Sequence, residues 1–392
     1  MTTAGRGATT PAVAVEIHGE TAPRFARVRE AFAANFARHG EVGAACCVYH
    51  RGRPVADLWA GLADRERGRP WTRDTATLVF SSTKGLTAAC VLRLAERGVL
   101  DLAAPVATYW PEFATQGKAH IPLTWVLCHG AGVPVVDAPL TLEQVLAWDP
   151  VIAAIAAQAP VWEPGTQHGY HFRTYGWILG EVVRRVAGRT LGAFFADEMA
   201  APLGLDFWIG LPESEESRMA ALVPPPPLPE GFARLMGPDT LLGRAMTGPS
   251  NLFHYDEMWN RRALHAAEMP SSNGIGTARG LARVYAALAG EVDGIRLLAP
   301  ETIAAARQTL SDGPDAVLML PTRFGTGFML PPTLSVAARP SAFGHPGAGG
   351  SLGLGDAEAE IGFGYVMNQM QLGVTGDPRS AELLAAVYAS LG

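Results

Sequence analysis

Both ends of this chain read as strands and its middle reads as helices, and that order limits the possible folds more than any other feature. Near the start, "GAACCVYH" and "PVADLWAG" flank the turn "RGR", the pattern of a β-hairpin rich in small apolar residues. Strand patterns return late, in "RFGTGFML", "SAFGHPGAGG" and "AEIGFGYVMNQM", before a closing helix at 378–391. Between them the helical period dominates, with helices expected at 83–100, 141–158, 172–187, 190–202 and 277–289, after a first helix at 22–38. The expected fold is therefore α+β: one antiparallel β-sheet flanked by helices, built from both ends of the chain, with a mostly helical lobe inserted. The expected division is a discontinuous sheet domain, 1–82 with 291–392, and a helical domain, 83–290. At 392 residues the chain exceeds the roughly 250 to 300 residues that one core supports, which agrees with two lobes. No internal repeat is visible.

Charge narrows the function. A formal net charge of −6 offers no electrostatic footprint for nucleic acid, and no apolar run of about 18 residues suits a membrane span. The opening "MTTAGRGATTPAVAVEIHGE" lacks the basic-then-apolar order of a secretion signal, so a cytoplasmic protein is expected. Cys46, Cys47, Cys90 and Cys128 lack metal-type spacing and read as reduced core thiols, with Cys46 and Cys47 on opposite faces of a strand. His168 and His171 form the one close histidine pair, and without a third ligand nearby no metal is expected. The polyproline stretch "LVPPPPLPEGF" (222–232) is expected to cross the surface or cover a cleft.

The chain holds 31 basic residues but only two lysines, Lys84 and Lys118. A group that must lose its proton near neutral pH cannot be arginine. Ser81 follows the apolar "TLVF" where the 83–100 helix begins, and Lys84 lies about one turn later on the same face, where its amine can reach the serine hydroxyl. Apolar surroundings would depress the amine's pKa and free a lone pair for the serine proton. A second serine competes: "GGSLG" (349–353) matches G-x-S-x-G, which works only as a strand-to-helix elbow. "LGLGDAEAE" follows Ser351 where that helix should be, so "GAGGSLGLG" reads as a glycine-rich connection between antiparallel strands.

Taken with "FSSTKG" (80–85), the stretches "LCHGAGVP" (127–134), "EPGTQHGYHFRTYGWILGEVV" (163–183), "MAAPLGL" (199–205) and "FGHPGAGGSLG" (343–353) resemble the serine β-lactamase and penicillin-binding-protein superfamily, in its class C-like branch with the family VIII carboxylesterases. The resemblance implies an active site in the cleft between sheet and helical lobe. It places the catalytic S-x-x-K on Ser81 and Lys84, the catalytic tyrosine on Tyr170 rather than Tyr175, and the K-T-G strand on His345, Pro346 and Gly347. It further implies an oxyanion hole from the N–H groups of Ser81 and Ala348, with Gly347 letting substrate approach the strand closely. A phenol near pKa 10 could ionise or relay a proton between lysine and serine. Two departures stand out: Tyr-x-Asn reads Tyr170-His171-Phe172, and His345 replaces the K-T-G lysine. Both favour a neutral ester over a penicillin-like acid, with His171, Phe172, His345 and Gly347 expected to line the substrate site. The implied activity is that of a serine carboxylesterase acting on a small-molecule ester through an acyl-enzyme, with no metal or organic cofactor and oligomeric state open. The alternatives are a β-lactamase, a D-alanyl peptidase or amide hydrolase, an acyltransferase, or a penicillin-recognising fold that only binds ligands.

Overall fold

The early hairpin and the late strands do share one sheet. The computed structural model describes residues 15–227 and 229–392, so most of the opening stretch read for a secretion signal, and Leu228 of the polyproline run, lie outside the described residues. Six strands lie side by side with every neighbouring pair antiparallel: β1 (His18–Thr21), β2 (Gly43–His50), β3 (Arg53–Asp64), β4 (Ala342–Pro346), β5 (Leu352–Asp356) and β6 (Ile361–Met367). Their spatial order is β1-β3-β2-β6-β5-β4, and the two-residue strand Arg69–Pro70 adds to β3. The junction of the two chain ends is the β2–β6 pair, with Cys46 opposite Tyr365 and Cys47 opposite Gly364.

Side chains alternate between sheet faces, which decides what covers each face. Cys46, Val48 and Leu58 enter one core with Val28 and Phe32 of α1 (Ala26–Arg38) and with Leu383, Leu384 and Val387 of α5 (Pro378–Leu391). Cys47 enters the opposite core, with residues of α2 (Thr83–Glu96), α3 (Thr174–Ala187) and α4 (Ala278–Ala289). All four cysteines are free and buried. The helix α4, placed by the sequence division with the helical segment, lies directly on β6: a Cβ at Gly362 would come 2.4 Å from the Ala282 carbonyl.

Several elements differ from expectation. The helix begun at Thr83 ends at Glu96, and 141–158 is two helices, Leu142–Leu146 and Asp149–Ala157, broken at Trp148, whose φ is 69°. "RFGTGFML" is a strand only to Phe324, paired with Ser311–Pro314, because the chain then turns at Gly327. A Cβ at Gly327 would meet Ala88 of α2 at 2.3 Å. The connection read across "GAGGSLGLG" is shorter than expected, since "LGLGD" is already β5. The polyproline segment begins clipped to the chain beyond β6, where Val223 bridges Gln369. Among the described residues no helix is long and apolar enough to cross a membrane.

Candidate active site

A small sheet, Thr77–Leu78 with Gly274–Gly276 and Phe207–Ile209, delivers the chain to Ser81. After Leu78 the backbone turns sharply: Phe80 has φ of 44°, and Phe80–Ser82 form one 3₁₀ turn before α2 begins. The Thr83 hydroxyl donates to the Phe80 carbonyl at 2.5 Å and accepts the Gly274 N–H at 2.8 Å, so the turn is held on both sides. Left-handed backbone at a bulky residue is unfavourable and persists only where neighbours enforce it. Here it presents Ser81, 7% exposed, at the end of a buried helix.

Lys84 is fully buried, and its Nζ lies 3.1 Å from Ser81 Oγ, 2.8 Å from the Phe172 carbonyl and 3.1 Å from the Ser271 carbonyl. Burial, reinforced by the Arg173 charge, holds its pKa well below that of an ordinary amine. A neutral amine has two hydrogens and one lone pair. The two carbonyls can only accept, so they take the hydrogens, and the lone pair is left for the Ser81 hydroxyl. The asparagine expected of a lactamase at 172 is thus replaced by backbone: Phe172 and Ser271 orient the lysine through their carbonyls.

Tyr170 is buried with its ring 4.7 Å from Lys84 Nζ. Burial pushes the phenol well above its usual value, with the neighbouring Ser81 hydroxyl opposing the rise. The arrangement suits a neutral donor and disfavours a phenolate. His345 Nδ1 lies 2.7 Å from the Pro346 carbonyl, a pure acceptor, which puts the ring hydrogen on Nδ1 and turns the Nε2 lone pair toward the Tyr170 hydroxyl at 3.5 Å. Burial lowers the His345 pKa to about 3, so it carries no charge near neutrality.

The chain from Gly347 to Ser351 packs against the turn that carries Ser81. The N–H groups of Ser81 and Ala348 donate to no other described group. A Cβ at Gly347 would fall 2.1 Å from the Val79 carbonyl, so the turn that carries Ser81 leaves no room for a side chain there. Ser351 donates to that same carbonyl at 2.7 Å and lies 3.1 Å from the Ser82 hydroxyl, which makes it a brace. His171, expected beside substrate, has both ring nitrogens engaged: Nδ1 donates to the Gly169 carbonyl at 2.7 Å and Nε2 accepts the Val133 N–H at 3.0 Å. It fixes the loop that carries Tyr170. Phe172 packs edge-on against Tyr170, ring centroids 4.9 Å apart.

Three contributors escaped the sequence reading. Ser271 supplies a carbonyl from a distant turn. Asp315 accepts the Tyr170 N–H at 3.0 Å and those of Val317 and Leu318. Buried Arg379 uses all five N–H donors, on Asp377, Glu41, Gln369 and the Gly349 carbonyl, and so fastens the loop after Gly347 to α5. Backbone carbonyl acceptors and long-range braces have no local sequence signature.

The sequence profile of the β-lactamase family matches residues 28–387, a span that contains every group described above. The chain belongs to the β-lactamase family. Esterase/beta-lactamase LipL of Mycobacterium tuberculosis is 36% identical over 368 residues, covering 90% of this chain and 83% of that protein. The crystal structure of a family VIII carboxylesterase is 40% identical with a TM-score of 0.88, covering 96% of this chain and 100% of that one. EstA from Arthrobacter nitroguajacolicus is 35% identical with a TM-score of 0.86, covering 95% and 98%. This β-lactamase family member therefore shares its whole architecture with proteins described as esterases.

Proposed function

We propose that this protein is a serine carboxylesterase that cleaves short-chain carboxylic esters through an acyl-enzyme. Ser81 attacks the ester carbonyl while its proton passes to the neutral Lys84 amine, whose two hydrogens are donated to carbonyls and whose lone pair is left for the hydroxyl. The N–H groups of Ser81 and Ala348 hold the developing oxyanion. Tyr170, 4.7 Å over the lysine and neutral, hands a proton to the departing alkoxide and recovers one from Lys84. Water then repeats the cycle on the acyl-enzyme. The steps use the chain's own groups and water.

The observation that carries this reading is the buried Lys84–Ser81 contact with both amine hydrogens already assigned. An ester suits the rest of the site. Its leaving group needs little protonation, whereas an amide nitrogen must be protonated as the intermediate collapses. A neutral His345 supplies no fixed charge for a lactam carboxylate. The test is kcat/KM for nitrophenyl acetate and butyrate against nitrocefin on one preparation at one pH. The esters are expected to be far better substrates, and a nitrocefin value equal to theirs would promote the β-lactamase reading.

A further inference from the structure

We infer that the cleft recognises esters bearing a carboxylate, and that Arg173 is the group that takes it. The inference deepens the esterase reading and rests on it. Arg173 precedes α3 and is 5% exposed. Its Nη1 donates to the Met246 carbonyl and lies 3.5 Å from the Gly248 carbonyl, and its guanidinium stacks 4.3 Å over Phe253. These contacts anchor one corner of the group. The opposite edge, Nε with Nη2, is unmatched: Nε is buried without a partner, and no hydrogen bond or ion pair joins Nη2 to a described residue.

That edge is the one that grips a carboxylate with two parallel N–H bonds. Elsewhere in this protein it does so repeatedly. Arg379 puts Nε and Nη2 on Asp377 at 3.0 and 2.8 Å, and Arg184 puts them on Glu181 at 2.7 and 3.0 Å. Arg323 brings the same two nitrogens onto a single oxygen, Asp312 Oδ2, at 3.0 and 2.8 Å. Arg173 alone of these four has its fork empty while being buried, and a buried guanidinium without a counter-charge is strongly unfavourable.

Its position points to substrate as the missing partner. The Arg173 carbonyl accepts from the Ser271 hydroxyl at 2.9 Å, and the Ser271 carbonyl in turn holds Lys84. Its charge is felt at Lys84 and at Tyr255, whose ring packs edge-on against Phe80 at 5.4 Å, next to the nucleophile. The guanidinium touches Met246, Gly248 and Phe253, and Phe253 leads through Trp259 to Phe80 beside the nucleophile, with no contact among the described residues to β4, where His345 replaces the expected lysine. A carboxylate bound there sits on a different part of the substrate from the one that lysine would hold.

Two matched pairs test this: mono-4-nitrophenyl adipate against 4-nitrophenyl methyl adipate, with the charge on the acid, and 3-acetoxybenzoate against methyl 3-acetoxybenzoate, with the charge on the alcohol. In the wild type the charged member of at least one pair should be preferred about tenfold or more in kcat/KM, the scale of a charge-assisted hydrogen-bonded pair. Arg173→Gln should bring that ratio to about one or below, and Arg173→Lys, which keeps charge without the fork, should fall between. Should the variants not fold, inhibition of the wild type by adipate but not by adipamide tests the same contact. No charged preference in either pair, an unchanged ratio in Arg173→Gln, or equal inhibition by the two compounds overturns the inference while leaving the esterase reading intact. An equal loss on charged and uncharged esters also overturns it, because Arg173 would then act on Lys84 alone. An enzyme inert to all four esters overturns both readings.

Discussion

Lys84 and Lys118 are both buried, and their neighbours differ in what they can do with a proton. Lys118 Nζ donates to the carbonyls of Thr115, Ala156 and Gln158 at 3.0, 2.9 and 2.6 Å, three acceptors that call for three N–H groups and hence an ammonium. Burial lowers its pKa only to about 8. Lys84 has two carbonyls and the Ser81 hydroxyl, a group that can give a proton as well as take one, and burial holds the lysine's pKa well below that of an ordinary amine. Lys84→Arg is therefore expected to be nearly as damaging as Lys84→Ala, with kcat falling on the order of 10² to 10⁴, because arginine keeps the charge and cannot release the proton. Retained activity in the arginine variant would show that charge alone is needed. Ser81→Ala should abolish ester hydrolysis, whereas Ser351→Ala, which removes a brace to Val79 and Ser82, should keep most of it at a stability loss of about 1 to 2 kcal/mol. Fluorophosphonate labelling followed by peptide mapping decides between the serines: an adduct on Ser351 would reverse the assignment.

At the scale of elements, the Ser81 turn and the β4–β5 connection are built as one unit. The Val79 carbonyl accepts from Ser351, and the Gly347 backbone lies against that same carbonyl. Adding a methyl group at 347 would place it 2.1 Å from a backbone oxygen that has no soft direction to move. Gly347→Ala is thus expected to displace the nucleophile turn and the Ala348 N–H together, lowering kcat by about tenfold or more with a smaller change in KM, the mark of a transition-state donor moved out of place. Steady-state kinetics on nitrophenyl butyrate checks this, and an unchanged kcat would show that the two elements move independently. Which elements exist was legible from periodicity, as for α2 and β6. Their limits were not: the helix at 141–158 breaks at Trp148, and β5 hides in "LGLGD" because glycine-rich strands lack an apolar alternation.

At the scale of the whole molecule, burial of neutral histidines couples the active-site region to acid. Burial lowers His171 to about 4 and His345 to about 3 from an ordinary value near 6.5, and lowers His129 as well. Between those values the unfolded histidines bind more protons than the folded ones, so these groups make stability rise with pH across that window, a contribution that is complete above about 6.5. Denaturant unfolding at pH 4 to 7 should show this slope, and His171→Asn should reduce it by up to one proton; an identical slope would place the acid sensitivity elsewhere. The sequence by itself determined that strands at both ends enclose a helical middle, that the Lys84 amine lies within reach of the Ser81 hydroxyl one turn before it, and that Ser351 lacks an elbow, because each depends on local spacing. The tertiary structure alone decided which polar atoms surround Lys84, through carbonyls 88 and 187 residues away, and what His171 and Gly347 contact. The physical reason is that a buried group's chemistry is fixed by the polar atoms packed around it, and those atoms are brought together by folding from segments whose own sequence does not mark them.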